Sequence, residues 1–426
     1  MRTRPKSAPP NVEPDKSKRR VRQKTEEVVT QVRKYELITP LYGGGVVPGV
    51  GDPVTLIRGT GIRGQLRFWW RACRGGQFNR SLKDMKRTED ELWGAASTEK
   101  YPRPSAVQIA ISVLQAGRPF IVHGRDGREV AVSDLSSPYG YAAFPLRETR
   151  QAPVIEGISF ILKVTFPRSM RREVEAALWG WETFGGVGAR TRRGFGAIQL
   201  LSIDGQAVKP LPQDANGARQ LITGSLLGHI EKEEWPSDVP HLTRGLEFRL
   251  TGAAGDAVVV WRELITKLKG FRQDRPGPFR NPGRSRWPEP DEIRRLTKTH
   301  AARHAPSPSM PGKFPRASLG LPIIFKFKDV DEREGDPPQS TLKGLNHDRL
   351  ASPLIIRPLA CAGKSALGLA AILSAPSTPP GGLVLTWEKG DKSVSVNADL
   401  TEAEARSVGP LSSHGDALRA FLNTIR

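Results

Sequence analysis

Cysteine is nearly absent from this chain: Cys73 and Cys361 are the only two in 426 residues. Two distant cysteines exclude a disulfide framework and a cysteine-based zinc site, and they fit a reducing compartment. No apolar run approaches the roughly 18 residues that span a bilayer. The basic N-terminal stretch lacks the apolar core of a secretory signal. The expectation is a cytoplasmic protein with no membrane partner. Histidine is sparse as well, seven in all, and none lies between His123 and His229. His300 and His304 are spaced i, i+4, but the glutamate of H-E-x-x-H is missing, so no metal site is expected. No G-x-x-x-x-G-K-[ST] sequence occurs, which argues against a P-loop NTPase. The carboxylates form no pair that stands out as an acid/base couple, and no Ser-His-Asp assignment is favoured over another. No catalytic residue and no cofactor is therefore expected.

Positive charge is abundant. Lys and Arg number 65 against 44 Asp and Glu, a net charge of +21. A surplus of that size repels itself unless an anion binds. Arginine carries much of it, and arginine suits bidentate phosphate contacts and stacking on bases. Nucleic acid is the leading partner class; a solvated basic surface is the alternative.

The chain divides unevenly. Residues 1–34 are rich in Lys, Arg, Pro and Ser without apolar periodicity, and read as a disordered basic arm. A first domain is expected over 35–205. It holds short strands at 35–40 and 54–58, a glycine-rich loop at 41–51 between them, a helix from about Gly61, and a short helix at 88–93. A strand at 106–114 follows, with Val107, Ile109, Ile111 and Val113 on one face. A hairpin at 120–132 turns at Asp126-Gly127, and a strand covers 158–166. Then come a helix at 169–184 and a strand at 197–203. Strands interleaved with two helices fit an α+β class, a split β-α-β sheet with helices on one face. Residues 206–240 read as a connector. A second domain, 241–426, is expected to hold strands at 241–250, 319–327, 352–359 and 382–387 and helices at 258–269 and 416–425. A long basic Pro/Gly-rich loop at 271–318 lies inside it, and loops of that length are usually functional or disordered.

Two stretches concentrate the chemistry. In the first, Ile57-Arg58-Gly59-Thr60-Gly61-Ile62-Arg63-Gly64-Gln65-Leu66-Arg67-Phe68-Trp69-Trp70-Arg71, a helix has two faces. Ile62, Leu66, Trp69 and Cys73 form a core-facing stripe. Arg63, Arg67 and Arg71 form a row every four residues, with Trp70 at its margin as a stacking platform or a core residue. The glycines ahead leave the helix N-terminus open to an anion. Gly59-Thr60-Gly61-Ile62-Arg63-Gly64 also matches G-x-G-x-x-G, but no acidic residue ends a second strand about twenty residues on, so a dinucleotide site is disfavoured. The second stretch, residues 185–196, holds Gly185, Gly186, Gly188, Gly194 and Gly196 together with Arg190, Arg192 and Arg193. Its glycines permit positive φ and close approach to a ligand, and its arginines can meet phosphates or bases. A flexible connector closing the helix is the plainer reading. Trp181 and Trp69 are expected in the core. Trp287, in the basic loop, either contacts RNA or a neighbouring protein or anchors its own domain.

These residues together carry a resemblance. Residues 57–72 resemble a signature of the RAMP superfamily of CRISPR proteins, and within it the first RAMP subunit of the type III-B (Cmr) effector complex. Ile38-Thr39-Pro40-Leu41-Tyr42-Gly43-Gly44-Gly45, Glu91-Leu92-Trp93-Gly94 and the loop 185–196 are similar to the same family. So are Trp287-Pro288-Glu289, Leu319-Gly320-Leu321-Pro322 and Ala351-Ser352-Pro353-Leu354 further on. The resemblance implies two ferredoxin-like (RRM-like) RAMP domains with long insertions. It implies a non-catalytic subunit of an RNA-guided antiviral effector that holds CRISPR RNA near its 3′ end, with paired target single-stranded RNA and other Cmr subunits as partners. Arg58, Thr60, Arg63, Arg67, Trp70, Arg71, Arg190, Arg192 and Arg193 are then the expected RNA contacts. The chain departs from the pattern in its basic arm and at Gly61, where a hydroxyl residue is expected; Thr60 still supplies one. The alternative is a metal-independent endoribonuclease that processes CRISPR RNA. It wants a base near the glycine loop, and the histidine gap from 123 to 229 counts against it.

Overall fold

The computed structural model describes residues 27–45, 52, 55–96, 103–147, 154–208, 211–277, 283–328, 335–387, 391–411 and 414–426. Most of the basic arm lies outside these. Residues 28–34, expected in that arm, are instead part of the first strand, β1 (Val28–Leu37), which begins at Val28 where Tyr35 was expected. Its inward positions Gln31, Arg33, Tyr35 and Leu37 are all buried. Two of the four are polar, which hides the strand's alternation. Glu175 and Glu182 satisfy them: Gln31 Nε2 donates to Glu175 (3.1 Å) and Arg33 Nη1 to Glu182 (2.8 Å).

The first sheet also contains β2 (Gln108–Pro119), β5 (Ile155–Pro167), β6 (Ile198–Ile203) and β7 (Gln206–Ala207), in the order β2-β5-β1-β6-β7. All its pairings are antiparallel. A small hairpin of β3 (Val122–His123) and β4 (Glu129–Val130) turns at Asp126-Gly127 as expected, with Gly127 at φ 77°. Helix α1 (Gly59–Arg74) starts two residues earlier than the pattern indicated. Residues 55–58 just before it are not a strand. Helix α2 (Leu82–Trp93) follows, and α3 (Arg171–Phe184) lies beside α1. The expected stripe of α1 is buried: Ile62, Leu66, Trp69 and Cys73 are at most 2% exposed. It meets Val174, Leu178 and Trp181 of α3 in one core. Gly180 permits the close crossing, since a Cβ there would stand 2.9 Å from Cys73 Sγ.

The expected connector is partly a helix, α4 (Ala215–His229), whose Ala218, Ile222 and Leu226 join the first core. Beyond it come β8 (Glu247–Leu250), α5 (Ala257–Gln273), β11 (Leu354–Ala360), β12 (Ala366–Ile372) and, at the end, α8 (Ala417–Leu422). The three strands form an antiparallel sheet in the order β11-β12-β8. Element for element, β8-α5-β11-β12-α8 repeats β1-α1-β2-β5-α3, with the same strand order; among the described residues no strand takes the fourth place that β6 fills in the first half. One face of this second sheet, through Phe248, Leu250, Ile355, Leu369 and Ala371, joins the core under α1, α3 and α4. The other face, through Leu354, Ile356 and Ala370, packs with Trp261 and Leu264 of α5 and Phe421 of α8. The layers therefore run sheet, helices, sheet, helices.

A third unit is set aside from these layers. Strands β9 (Ile323–Phe325), β10 (Ser340–Gly344), β13 (Leu383–Trp387) and β14 (Lys392–Val396) make an antiparallel sheet in the order β14-β13-β10-β9. A short helix, α7 (Glu402–Ser407), follows it with a capping box at Thr401 and Glu404. Within the expected loop 271–318 lies α6 (Glu289–Thr297), whose Ile293 joins Phe314, Ile323, Phe325 and Leu342 in a separate core.

Candidate nucleic-acid interface

The structure sorts the nine expected contact residues by what already holds them. Trp70 is fully buried and its Nε1 donates to Glu173 (2.6 Å). Arg74 binds the same carboxylate through Nη2 (2.8 Å). The stacking platform is thus a core residue, because the α1–α3 interface needs its ring more than solvent does. Arg67 and Arg71 do leave the helix on one side, but both meet Glu89 of α2, at 2.7 and 2.6 Å. Arg67 also donates to the Gly94 carbonyl (2.7 Å). Glu89 is 3% exposed, so this row ties α1 to α2 first of all.

The start of α1 is different. Its N-cap, Arg58, makes no side-chain cap, and no acidic residue occupies the first turn. The free N–H groups there carry the positive end of a 16-residue helix with no acidic side chain in its first turn. Thr60 is exposed, and a Cβ on Gly61 or Gly64 would meet nothing within 4 Å. Arg58 and Arg63 are half-buried and make no ion pair among the described residues. Arg63 Nε is buried and without a hydrogen-bond partner among the described residues, a costly state unless another molecule completes it.

The glycine–arginine loop is a packed joint between the two halves. A Cβ on Gly186 would stand 2.5 Å from the Gly196 carbonyl oxygen. Gly194 (φ 82°) lies so close to Trp261 that a Cβ would reach its Cδ1 at 2.6 Å. The glycines admit neighbouring backbone and a tryptophan, where close approach to a ligand was expected. Thr39 Oγ1 donates to the Gly194 carbonyl (2.6 Å), and Trp261 Nε1 donates to the Arg193 carbonyl (2.7 Å). Arg193 is 9% exposed and donates to the Leu354 carbonyl (2.7 Å) of β11. It is therefore an anchor and not an exposed RNA contact. Arg190 and Arg192 are half-buried. The first donates to the Ala142 carbonyl (3.0 Å) and lies over the Phe144 ring; the second donates to the Ser352 carbonyl (2.6 Å) and lies over Phe68 of α1.

None of these three loop guanidiniums pairs with a carboxylate among the described residues. Burial lowers the pKa of each, and for Arg193 the like charges of Arg190 and Arg272 push the same way, to about 9. Several arginines elsewhere are paired: Arg33 with Glu182, Arg74 with Glu173, Arg286 with Asp274, Arg294 with Asp336, Arg316 with Glu289 and Arg419 with Glu247. The start of α1 and the glycine loop are thus two places in the first half where guanidiniums lack a carboxylate among the described residues.

Sequence reasoning missed Arg357. It is 1% exposed, on β11. Its Nη1 donates to the carbonyls of Glu182 (3.0 Å) and Gly185 (2.7 Å) at the end of α3, and its Nη2 to the Ile198 carbonyl (2.9 Å). A cation at a helix C-terminus meets the negative end of the dipole, so Arg357 caps α3 from the other half of the chain. No local pattern announces such a role; the only hint is a charged residue inside the otherwise apolar run of β11.

The outer face of the first sheet is open. Its rows carry Thr30, Val32 and Lys34 on β1 and Ser159, Ile161, Lys163 and Thr165 on β5. No aromatic residue is among them, so this face lacks the stacking rings by which an RRM sheet holds bases. Trp287 is 1% exposed and donates to the Phe271 carbonyl (2.9 Å), an anchor of its own domain. His304 meets Asp336 at 2.6 Å, and no cluster of metal-ligating side chains occurs among the described residues. No helix among them is long and apolar enough to cross a membrane.

The family model for the RAMP superfamily matches residues 34–199. Two Pyrococcus furiosus proteins are similar in sequence. The CRISPR system Cmr subunit Cmr1-2 is 25% identical over 179 residues, 39% of this chain and 91% of the relative. The Cmr subunit Cmr1-1 is 24% identical over 236 residues, 51% of this chain and 64% of that relative, somewhat less than two thirds of its length. Among solved structures, apo Cmr1 from P. furiosus aligns with a TM-score of 0.46 at 18% identity, covering 83% of this chain and 90% of that one. The type III-B Cmr-beta complex bound to cognate target RNA contains a chain that aligns with a TM-score of 0.46 at 12% identity, covering 82% and 95%. The match falls on the half that contains α1, α3 and the glycine–arginine loop, and this chain carries a RAMP-superfamily domain at residues 34–199, with relatives among the Cmr subunits of CRISPR systems.

Proposed function

We propose that this protein is a non-catalytic, RNA-binding subunit of a type III-B CRISPR effector complex, built on two ferredoxin-like domains, the second showing three of its four strands among the described residues. In this reading it holds CRISPR RNA near its 3′ end, alone or paired with target single-stranded RNA, and packs against other Cmr subunits in the cytoplasm. The observation that carries the reading is the group Arg58, Arg63, Arg190 and Arg192, without carboxylate partners among the described residues and all within the residues that match the RAMP model. A phosphate on the first turn of α1 would meet free N–H groups, the Thr60 hydroxyl and two guanidiniums. Arg190 and Arg192 would continue the contact along the loop. Arg67 and Arg71 act there through their charge while Glu89 holds their geometry.

RNA binding by Arg58→Ala/Arg63→Ala tests it, with an expected loss of about tenfold or more at moderate salt. Unchanged affinity overturns the assignment. Metal-independent cleavage of repeat RNA by the purified protein would establish the endoribonuclease in its place. Gly61→Ala separates binding from folding. Nothing lies within 4 Å of the added methyl, and alanine favours the helix by about 0.5–1 kcal/mol. The variant is expected to melt at or slightly above the parent temperature yet bind RNA more weakly, because the methyl stands where the phosphate would approach. Full affinity would show that no ligand approaches Gly61.

A further inference from the structure

A pocket of about 540 Å³ opens between the segment after α5, the start of α6 and the edge strand β9. It lies outside the residues matched by the RAMP model and outside every residue considered above as an RNA contact. Arg316 forms its inner wall, with Nε on Glu289 Oε2 (3.0 Å) and Nη1 on the Arg272 carbonyl (2.9 Å). The Arg316 side chain lies over the Trp287 and Phe325 rings and is 9% exposed as a residue. Its Nη2 is buried and has no hydrogen-bond partner among the described residues. A guanidinium held on three sides with one donor left over is a preorganised acceptor site for an anion.

The surroundings favour a phosphate. Arg294 is gripped by both oxygens of Asp336 (2.9 and 3.0 Å) and stacks over Phe327 (4.8 Å). Arg284 is held by Asp291 and by the Ala305 carbonyl. At the rim, Arg275, Lys326 and Lys328 are exposed, with no ion pair among the described residues. The facing carboxylates, Asp336, Asp291 and Glu289, are each engaged by an arginine, and positive charge remains in excess. Ile323, Phe325 and Phe327 supply an apolar wall on one side, which suits a base or ribose beside the phosphate.

We propose that this pocket binds the phosphate of a nucleotide, with Arg316 Nη2 as the buried donor, Lys326 and Lys328 as rim cations, and the apolar wall of Ile323, Phe325 and Phe327 against the nucleoside. The nucleotide is either a free nucleoside monophosphate or the phosphorylated end of an RNA strand. Calorimetric titration of the full chain distinguishes these, using AMP, adenosine, and a short single-stranded oligoribonucleotide with and without a terminal phosphate. AMP is expected to bind about tenfold or more tightly than adenosine. The exposed double variant Lys326→Glu/Lys328→Glu and the conservative Arg316→Lys are each expected to weaken AMP by about tenfold, while Arg58→Ala/Arg63→Ala leaves AMP unchanged. A terminal phosphate that tightens the oligonucleotide by a similar factor, lost in Lys326→Glu/Lys328→Glu, identifies the strand end as the ligand; AMP alone showing the effect identifies the free nucleotide. Equal binding of AMP and adenosine, or AMP affinity untouched in Lys326→Glu/Lys328→Glu, overturns the proposal and leaves the first-domain interface standing on its own test.

Discussion

Arg357→Met is expected to destabilise the chain by about 2–4 kcal/mol in chemical denaturation. The substitution strands the carbonyls of Glu182, Gly185 and Ile198, all now bonded by one guanidinium. Each buried acceptor left without a donor costs about 1–3 kcal/mol. Relief works the other way, because a buried cation without a carboxylate partner is itself expensive to desolvate, and burial lowers the Arg357 pKa. The carbonyls win for a geometric reason. Two of them are at the C-terminus of α3, where the helix dipole already compensates a cation, so the charge is less costly than its isolation suggests. Methionine restores the packing and none of the three bonds. Arg357→Lys, which can satisfy fewer of those carbonyls, is expected to fall between. A change below about 0.5 kcal/mol for Arg357→Met, the range of an ordinary surface substitution, would show that β11 does not hold α3.

Gly194→Ala is expected to lose a comparable amount, about 2–5 kcal/mol. The backbone there sits at φ 82°, a region that costs a side-chain-bearing residue roughly 1–2 kcal/mol. The added Cβ would also stand 2.6 Å from Trp261 Cδ1 and 3.1 Å from the Ile356 carbonyl oxygen. Trp261 is fully buried and stacked on Tyr139 at 4.6 Å, so it has no room to retreat, and overpacking of that kind adds roughly 1–3 kcal/mol. The contrast with Gly61→Ala separates two uses of glycine in one domain. At 194 the missing side chain admits a tryptophan of the other half; at 61 it leaves the helix start open. Equal, small effects on stability at both positions would refute the view of the loop as a packed joint.

The parts of the fold that could be read from sequence are those set by local pattern. The stripe Ile62, Leu66, Trp69 and Cys73 specifies the buried face of α1 because helical spacing is a property of the segment itself. Asp126-Gly127 specifies its hairpin for the same reason. What escaped depends on partners far along the chain. Residues 28–34 look like a polar arm until Glu175 and Glu182 are placed opposite Gln31 and Arg33. Helix α4 is masked by Gly217, Gly224 and Gly228, which dilute its periodicity. Helix α6 begins Pro288-Glu289-Pro290, a sequence that reads as loop although proline is tolerated in a first helical turn. The arginine row of α1 was legible as a row, but its use was not: Glu89, 22 residues beyond Arg67, takes Arg67 and Arg71, and Glu173 takes the Trp70 indole. The loop 185–196 was legible as unusual. That its glycines admit Trp261 and backbone, and that Arg193 turns inward, required the second half of the chain in place.

The most direct test of the RNA-binding assignment is the salt dependence of binding to single-stranded RNA, measured side by side for the parent and for Arg58→Ala/Arg63→Ala. Each phosphate contact on a single strand contributes a slope of about −0.7 in log K against log salt. The account predicts a slope shallower by about 1.4 in the double variant, with affinity lower at every salt concentration and an unchanged melting temperature. Identical slopes and identical affinities for the two proteins, both folded, would contradict it.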